Sequence, residues 1–306
     1  MDIWKMALKS ERSDFLDDQT KVERAREFCF SSGYVGIGWG GSWLEDGASS
    51  SPEYLAALAK ITSLDSRAAR SAHNLFARQM QIGDLVWART KKDVYWLGRI
   101  TSDWTFRNGA QFADYDLFQI RRCNWCRVGS SDRIPDPVRN AFAGRGLTIS
   151  RIRREASIVA AESAAIWNEL TGDVVVVPST GEVATAPLMS LGHDTLEDLV
   201  GLFLQAELGW LLVPSTAKKG TPYTEFVLRN RAAETAYVQV KSGKTQVEPP
   251  SALPEGVDRF FVFSPAGTAT NQMAAGVVVL ENELLEDFAR QNRALLPPRV
   301  RRYFDL

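Results

Sequence analysis

Apolar and polar positions along this chain follow two different periods, and the places where the period changes mark out its elements. Ser13–Phe30 reads as a helix that ends at a turn around Gly33. Tyr34–Trp39 (YVGIGW) follows as a Gly-rich apolar strand, and residues 40–51 (GGSWLEDGASSS) form a turn-rich loop. Pro52–Gln81 places Leu55, Leu58, Ile61, Leu75 and Phe76 at helical spacing, which predicts one or two helices. Three strand-like segments come next, Gly83–Thr90, Tyr95–Trp104 and Leu117–Val128. Turn signals at Lys91-Lys92-Asp93 and Arg107-Asn108-Gly109 separate them. The pattern predicts a small barrel-like β module with flanking helices that closes near Ile152.

Glu155–Leu170 returns to helical spacing. Ile158, Val159, Ile166 and Leu170 share a face, with Trp167 at its edge and Glu162 interrupting it, so this segment is expected to be a connector or dimer-contact helix. Val174–Val177 reads as a short buried strand and Pro178–Pro187 as turn-rich. From Leu191 the expected order is helix Thr195–Leu208 and strands Trp210–Val213, Thr224–Arg229, Ala236–Ser242, Phe260–Ser264 and Gly276–Leu280, then helix Glu283–Gln291. Short apolar strands bracketed by helices indicate an α/β sandwich. The fold class is therefore α/β plus α+β, with a small β-barrel-like module over 1–152, a connector over 153–190 and an α/β core over 191–306.

Bulk properties narrow the function classes. A chain of 306 residues with 45% hydrophobic and 24% charged residues suits about two soluble domains. The apolar runs are strand-sized, too short for a membrane span, and the charged start (MDIWKMALKSERSD) is unlike a secretory signal, so a cytoplasmic protein without membrane association is expected. Net charge is −1, yet residues 121–154 concentrate arginine. Most of these arginines read as a solvated face, while Arg121, Arg122, Arg145 and Arg153 are the candidates for nucleic-acid backbone contact, where a guanidinium can grip phosphate with two donors. Cys123-Asn-Trp-Cys126 is formally a C-x-x-C, but a structural zinc needs four ligands and no second pair exists. These cysteines are expected to be structural. With only His73 and His193 there is little material for a histidine-based triad, and no phosphate-binding glycine loop is present.

Candidate chemistry lies in the last third. Thr195 and Asp198 form a capping-box pattern, placing Glu197 in the first turn of its helix. An acid there can simply complement the helix dipole, which suffices for Asp198. Glu225 falls near the start of a strand, and Gln239 and Lys241 share one face of another, opposite Val238 and Val240. Polar side chains lined up on such a sheet need partners, so the line is either an exposed face or a site.

The order helix-Glu197, strand-Glu225, then Gln239-x-Lys241 resembles the nuclease core of Mrr-like restriction endonucleases of the PD-(D/E)XK superfamily. LEDLVGLFLQAELGW is similar to that family's opening helix, and GVVVLENELLEDFA to its late strand and acidic helix, over about residues 191–296. Glu225 stands where the family usually has aspartate. The resemblance implies Mg²⁺, or Mn²⁺ in its place, held by Glu225, the backbone carbonyl of Val240 and Glu197, with Lys241 and Gln239 acting on water or phosphate. It also implies a homodimeric endonuclease acting in defence against foreign DNA.

Over roughly residues 28–152, GDLVWAR and YWLGRIT resemble a PUA/EVE-like barrel, and GIGW its opening strand. Such a module would recognise a modified base, for example a modified cytosine, between aromatic faces. Trp39, Trp43 and Trp104 are the pocket candidates, whereas Trp87 and Trp125 read as core. The alternative function is a catalytically degenerate protein that senses nucleic acid or nucleotide, and RNA is an alternative substrate.

Overall fold

In a computed structural model the chain separates into two units, Met1–Ser179 and Thr180–Leu306. The residues described are 1–8, 19–40, 44, 47–61, 66–143, 147–153, 156–177, 187–217, 224–270 and 272–304. Trp43 and Arg145 lie outside them, as do 13–18 of the first expected helix and most of the turn-rich 178–187 segment. Among the described residues no helix is long and apolar enough to cross a membrane. Both units mix helix and sheet, in keeping with an α+β protein.

The first unit runs β1 (Ile3–Met6), α1 (Gln19–Ser32), β2 (Tyr34–Ile37), α2 (Ser51–Leu58), α3 (Ser66–His73) and a π-helical turn at Asn74–Gln79. It continues with β3 (Leu85–Arg89), β4 (Tyr95–Ile100), β5 (Thr105–Phe106), α4 (Ala110–Ala113), β6 (Gln119–Gly129), α5 (Asp136–Ala143), β7 (Ile149–Arg151) and α6 (Ala156–Thr171). The strands form one curled sheet in the order β2-β6-β4-β3-β1-β7, with β5 also on β6. The curl follows from β6. Its Gln119–Arg122 end pairs with β2, and its Cys123–Gly129 end pairs with β4.

Apolar side chains cover both faces, which is why β3 reads LVWA without a polar break. Ile3, Trp87 and Leu97 pack on one side with Val159, Ile166 and Trp167 of α6. Trp4, Met6, Val86 and Ala88 pack on the other with Cys29 and Phe76. Each such large side chain contributes about 1.5–3 kcal/mol by leaving water.

Several expectations need correction here. The helix expected as a connector is part of this core, tied in further by the Trp87 indole N–H donating to Ser163 Oγ at 3.0 Å. Val174–Val177 is not a strand. Val175 is buried, but its N–H and C=O are satisfied by the Asn168 side chain, leaving Val174 and Val176 exposed. The alternation of β6 sends Cys123 and Cys126 to opposite faces, into different clusters, so the C-x-x-C forms no site. All three cysteines are free thiols.

The second unit comprises α7 (Pro187–Ser190), α8 (His193–Ala206), β8 (Leu211–Leu212), β9 (Phe226–Arg229), β10 (Thr235–Val240), β11 (Arg259–Phe263), β12 (Val277–Val279), α9 (Asn282–Gln291) and α10 (Pro298–Arg301). Its sheet follows the order β12-β11-β10-β9-β8. The β8, β9 and β10 neighbours are antiparallel, and β10-β11 and β11-β12 are parallel. Helix α8 lies on the face of Phe226, with Gly201 admitting that ring, and Phe203 meets Phe288 of α9 edge to face at 5.5 Å. The opposite face carries Tyr237, Phe260, Val262, Val277 and Val279 and is covered by Val247 and Leu253. The covering segment after β10 is a Pro-rich loop, so the sandwich expected here has helices on one face and loop on the other.

Candidate metal centre

Helix α8 begins two residues earlier than its capping pattern suggests. Gly192 is the N-cap, without a side-chain cap, and His193 is the first helical residue. The sequence-level capping box of Thr195 and Asp198 is therefore not the start of the helix. This shift decides the chemistry, because it places His193 and Glu197 four residues apart on the same helical face. Gly209, with φ +69°, turns the chain after the helix, and Trp210 N–H donates back to Leu204 O at 3.0 Å.

Glu225 precedes β9 by one residue and is anchored by its N–H donating to Val238 O at 2.8 Å. Phe226 and Val238 point into the α8 face, and Glu225, in the bend before β9, lies outside the strand's alternation and reaches the first turn of α8. Lys241 follows β10 directly, and its N–H donates to Phe263 O at 2.9 Å. Gln239 is half-buried on the same alternation as Lys241. Val240, whose carbonyl is the backbone candidate, is the last residue of β10.

Three of the residues singled out from the sequence converge, joined by His193, which sequence reasoning had set aside. His193 Nε2 lies 2.9 Å from Glu197 Oε1 and 3.7 Å from Glu225 Oε2. Lys241 Nζ lies 3.5 Å from Glu225 Oε1, so each oxygen of this carboxylate faces a different cation. His193, Glu197 and Glu225, three groups of types that can ligate a metal, offer donor atoms all within 4.8 Å of one another. All of them are half-buried, which leaves the centre open to solvent on one side. The signal that could have found the histidine is the spacing itself, His193-x-x-x-Glu197 in a helix.

The electrostatics follow from the geometry. The neighbouring carboxylates, Glu197 first, accepting from Nε2 at 2.9 Å, and Glu225 second, raise the His193 imidazole from its ordinary 6.5 to about 10. The Glu225 carboxyl is held below its ordinary value, chiefly by the nearby His193 imidazolium and less by Lys241. Without a cation the centre is thus an imidazolium between two carboxylates. A divalent ion can take the place of that proton, and one imidazole with two carboxylates is a donor set that fits one.

The candidates in the first unit fare differently. Arg121 is buried, and its guanidinium donates to the carbonyls of Phe76, Ser102 and Ala77 at 2.9, 2.9 and 3.0 Å. It closes the end of the π-helical turn and is not available to phosphate, which corrects its assignment. Arg122 is exposed and lies over the Tyr34 ring at 4.1 Å, and Arg153 is exposed. Trp39 takes φ +60°, and its carbonyl accepts from Tyr54 Oη at 2.9 Å while its ring packs against two core clusters.

Trp104 donates to Gln119 Oε1 at 3.2 Å and stands edge-on to buried His73. His73 itself is held by Gln119 and Ser51, both at 2.7 Å, and stacks on Tyr54. That network is internal to the core. An open cavity of about 640 Å³ lies elsewhere, lined by Tyr34, Phe106, Arg107, Asn108 and Phe112, and neither Trp39 nor Trp104 lines it.

Comparison with known proteins touches the first unit. Residues 4–148 match a family described as a domain of unknown function (DUF8426), a span running from β1 to the residue before β7. No curated protein matches the chain.

Proposed function

We propose that this protein is a divalent-metal-dependent endonuclease that cleaves DNA phosphodiesters, with its reaction centre at His193, Glu197, Glu225 and Lys241. The observation that carries the reading is the convergence of Glu197, Glu225 and Lys241. They come from a helix, a strand entrance and a strand exit, and Glu197 and Glu225 flank one imidazole at 2.9 and 3.7 Å while Lys241 faces the other oxygen of Glu225 at 3.5 Å. The order of these elements, helix, antiparallel strands, then parallel neighbours, supports an Mrr-like PD-(D/E)XK core.

The cation, Mg²⁺ or Mn²⁺, would be held by Glu225 and Glu197 with the Val240 carbonyl, and it supplies charge neutralisation and an acidified water. Lys241 is aimed at the same carboxylate and donates to the scissile phosphate or to the attacking water, stabilising charge as it develops. Gln239, on the same strand face, donates or accepts a further hydrogen bond there.

The first unit would supply DNA recognition through a PUA/EVE-like module. The cavity lined by Tyr34, Phe106 and Phe112 offers flat faces, and Arg107 and Asn108 offer groups to read a base edge. This moves the base-reading role from Trp39 and Trp104, whose rings pack against the core, to that cavity. Cutting both strands requires two such centres, so the active species would be a homodimer, and restriction of modified foreign DNA is the setting that fits.

The test is incubation of the protein and its Lys241→Ala variant with Mg²⁺ or Mn²⁺ and two DNAs, one carrying modified cytosines. Cleavage of the modified DNA by wild type, lost in the variant with DNA binding retained, is the expected result. Binding without cleavage by wild type would replace the enzyme with a sensing protein.

A further inference from the structure

We propose that His193 is a direct metal ligand, so that the centre is an imidazole-dicarboxylate site selecting a first-row transition cation such as Mn²⁺ over Mg²⁺. The inference deepens the nuclease reading, yet cation binding is measurable whether or not DNA is cut. Its ground is geometric. For metal–ligand bonds of about 2.0–2.2 Å, donors on one octahedral or tetrahedral ion sit about 3.0–3.4 Å apart. The Nε2 of His193 is already 2.9 Å from Glu197 Oε1 and 3.7 Å from Glu225 Oε2, so small rotamer adjustments complete the polyhedron.

Backbone positions favour the same conclusion. His193 and Glu197 sit one helical turn apart on α8, the spacing by which helices present two ligands to one ion. Glu225 comes from a strand entrance fixed by its own backbone hydrogen bond, so the third ligand does not depend on the helix. Lys241 faces the outer oxygen of Glu225 and offsets part of the negative charge, leaving the inner oxygen for the ion.

Selectivity follows from the donors. Mg²⁺ is hard, takes oxygen ligands in strict octahedra and keeps its waters. An imidazole nitrogen is a poor ligand for it, is accepted by Mn²⁺ beside carboxylates, and binds more strongly to Co²⁺ or Zn²⁺. A site of two carboxylates and one histidine therefore binds Mg²⁺ weakly, and the preference is lost with the nitrogen.

The chain's two histidines make the test clean. His73 is fully buried in the first unit, so imidazole nitrogen bound to an added metal comes from His193. Chelator-stripped full-length protein is titrated with Mn²⁺ and followed by electron paramagnetic resonance, with pulsed detection of ¹⁴N coupling. The expected result is one Mn²⁺ per chain with imidazole coupling, and at least tenfold weaker competition by Mg²⁺. In His193→Gln, the coupling vanishes and Mn²⁺ affinity falls at least tenfold, with circular dichroism unchanged.

Mn²⁺ bound without nitrogen coupling in wild type, or equally tight in His193→Gln, overturns the proposal. Should that variant misfold, the wild-type spectrum alone decides. DNA cleavage with an all-oxygen ion would leave the nuclease reading standing and remove this one. Imidazole-bound Mn²⁺ without cleavage would do the reverse.

Discussion

Replacing Arg121 by methionine separates two roles, the phosphate contact expected from the sequence and the structural strut that its contacts show. Its side chain is buried, and its three donors end on the Phe76, Ala77 and Ser102 carbonyls. The nearest acid, Asp103, is 4.0 Å away with a side chain 91% exposed, so the guanidinium is held mainly by main-chain oxygens. Methionine fills much of the volume but supplies no donor. Each buried carbonyl stripped of its partner costs about 1–3 kcal/mol. Part of that loss is offset because a charge no longer has to be buried.

The balance is a destabilisation of about 3 kcal/mol. For a unit of this size, 1 kcal/mol shifts Tm by about 2–4 °C, so the transition of the first unit should drop by about 6–12 °C. Thermal unfolding followed by circular dichroism reads this out, alongside DNA affinity at several salt concentrations. Arg122→Ala, on exposed Arg122, should leave Tm nearly unchanged. An unchanged Tm in Arg121→Met, with the salt slope of DNA binding reduced by about one, would refute the reasoning and return Arg121 to the phosphate role.

Three further expectations follow from particular contacts. The raised His193 value makes the metal-free second unit more stable below about pH 6.5, an advantage lost as pH rises through about 10, while the lowered Glu225 value adds stability above 4.5 that is lost on acidification. Denaturant titrations across pH should show a plateau between these limbs, and His193→Gln should flatten the alkaline one; an unaltered alkaline limb contradicts the assignment. Gly98→Ala would set a methyl 2.4 Å from Cys123 Sγ and 2.7 Å from the Trp125 ring, costing about 1–3 kcal/mol by overpacking in urea unfolding, and a neutral result would mean that strand β4 can shift. Cys29, buried with its thiol pushed up to about 12, and Cys123, also raised well above its ordinary value by burial, should resist a thiol reagent until the unit unfolds.

β2, β3, β4 and β6 of the first sheet and the strands of the second were legible from alternation and turn residues, and Glu225 and Lys241 were legible from their order beside those strands. What escaped was non-local. Ile3–Met6 is four residues long at the start of the chain, and it becomes a strand only by pairing in parallel with Leu85–Ala88. No local pattern announces a partner that distant. Arg121 and Arg122 are adjacent in sequence with opposite fates, because the helical layer over β6 buries one side chain and water covers the other. The apolar run Val174–Val177 has the composition of a strand, but the Val175 backbone bonds the side chain of Asn168 and no neighbouring strand. His193 was legible in principle at four residues before Glu197, but reading the helix as starting at Thr195 left it outside.

The most direct test of the account is the loss of one carboxylate at the centre. Modified DNA is incubated with Mn²⁺ and either wild type or Glu225→Gln, a change that keeps the side chain's size and removes its charge, and strand scission is measured beside DNA affinity. The account predicts cleavage by wild type, a fall of at least a hundredfold in the variant, and DNA affinity within about threefold. Equal cleavage by both proteins would contradict a metal centre at Glu225 and with it the proposed function.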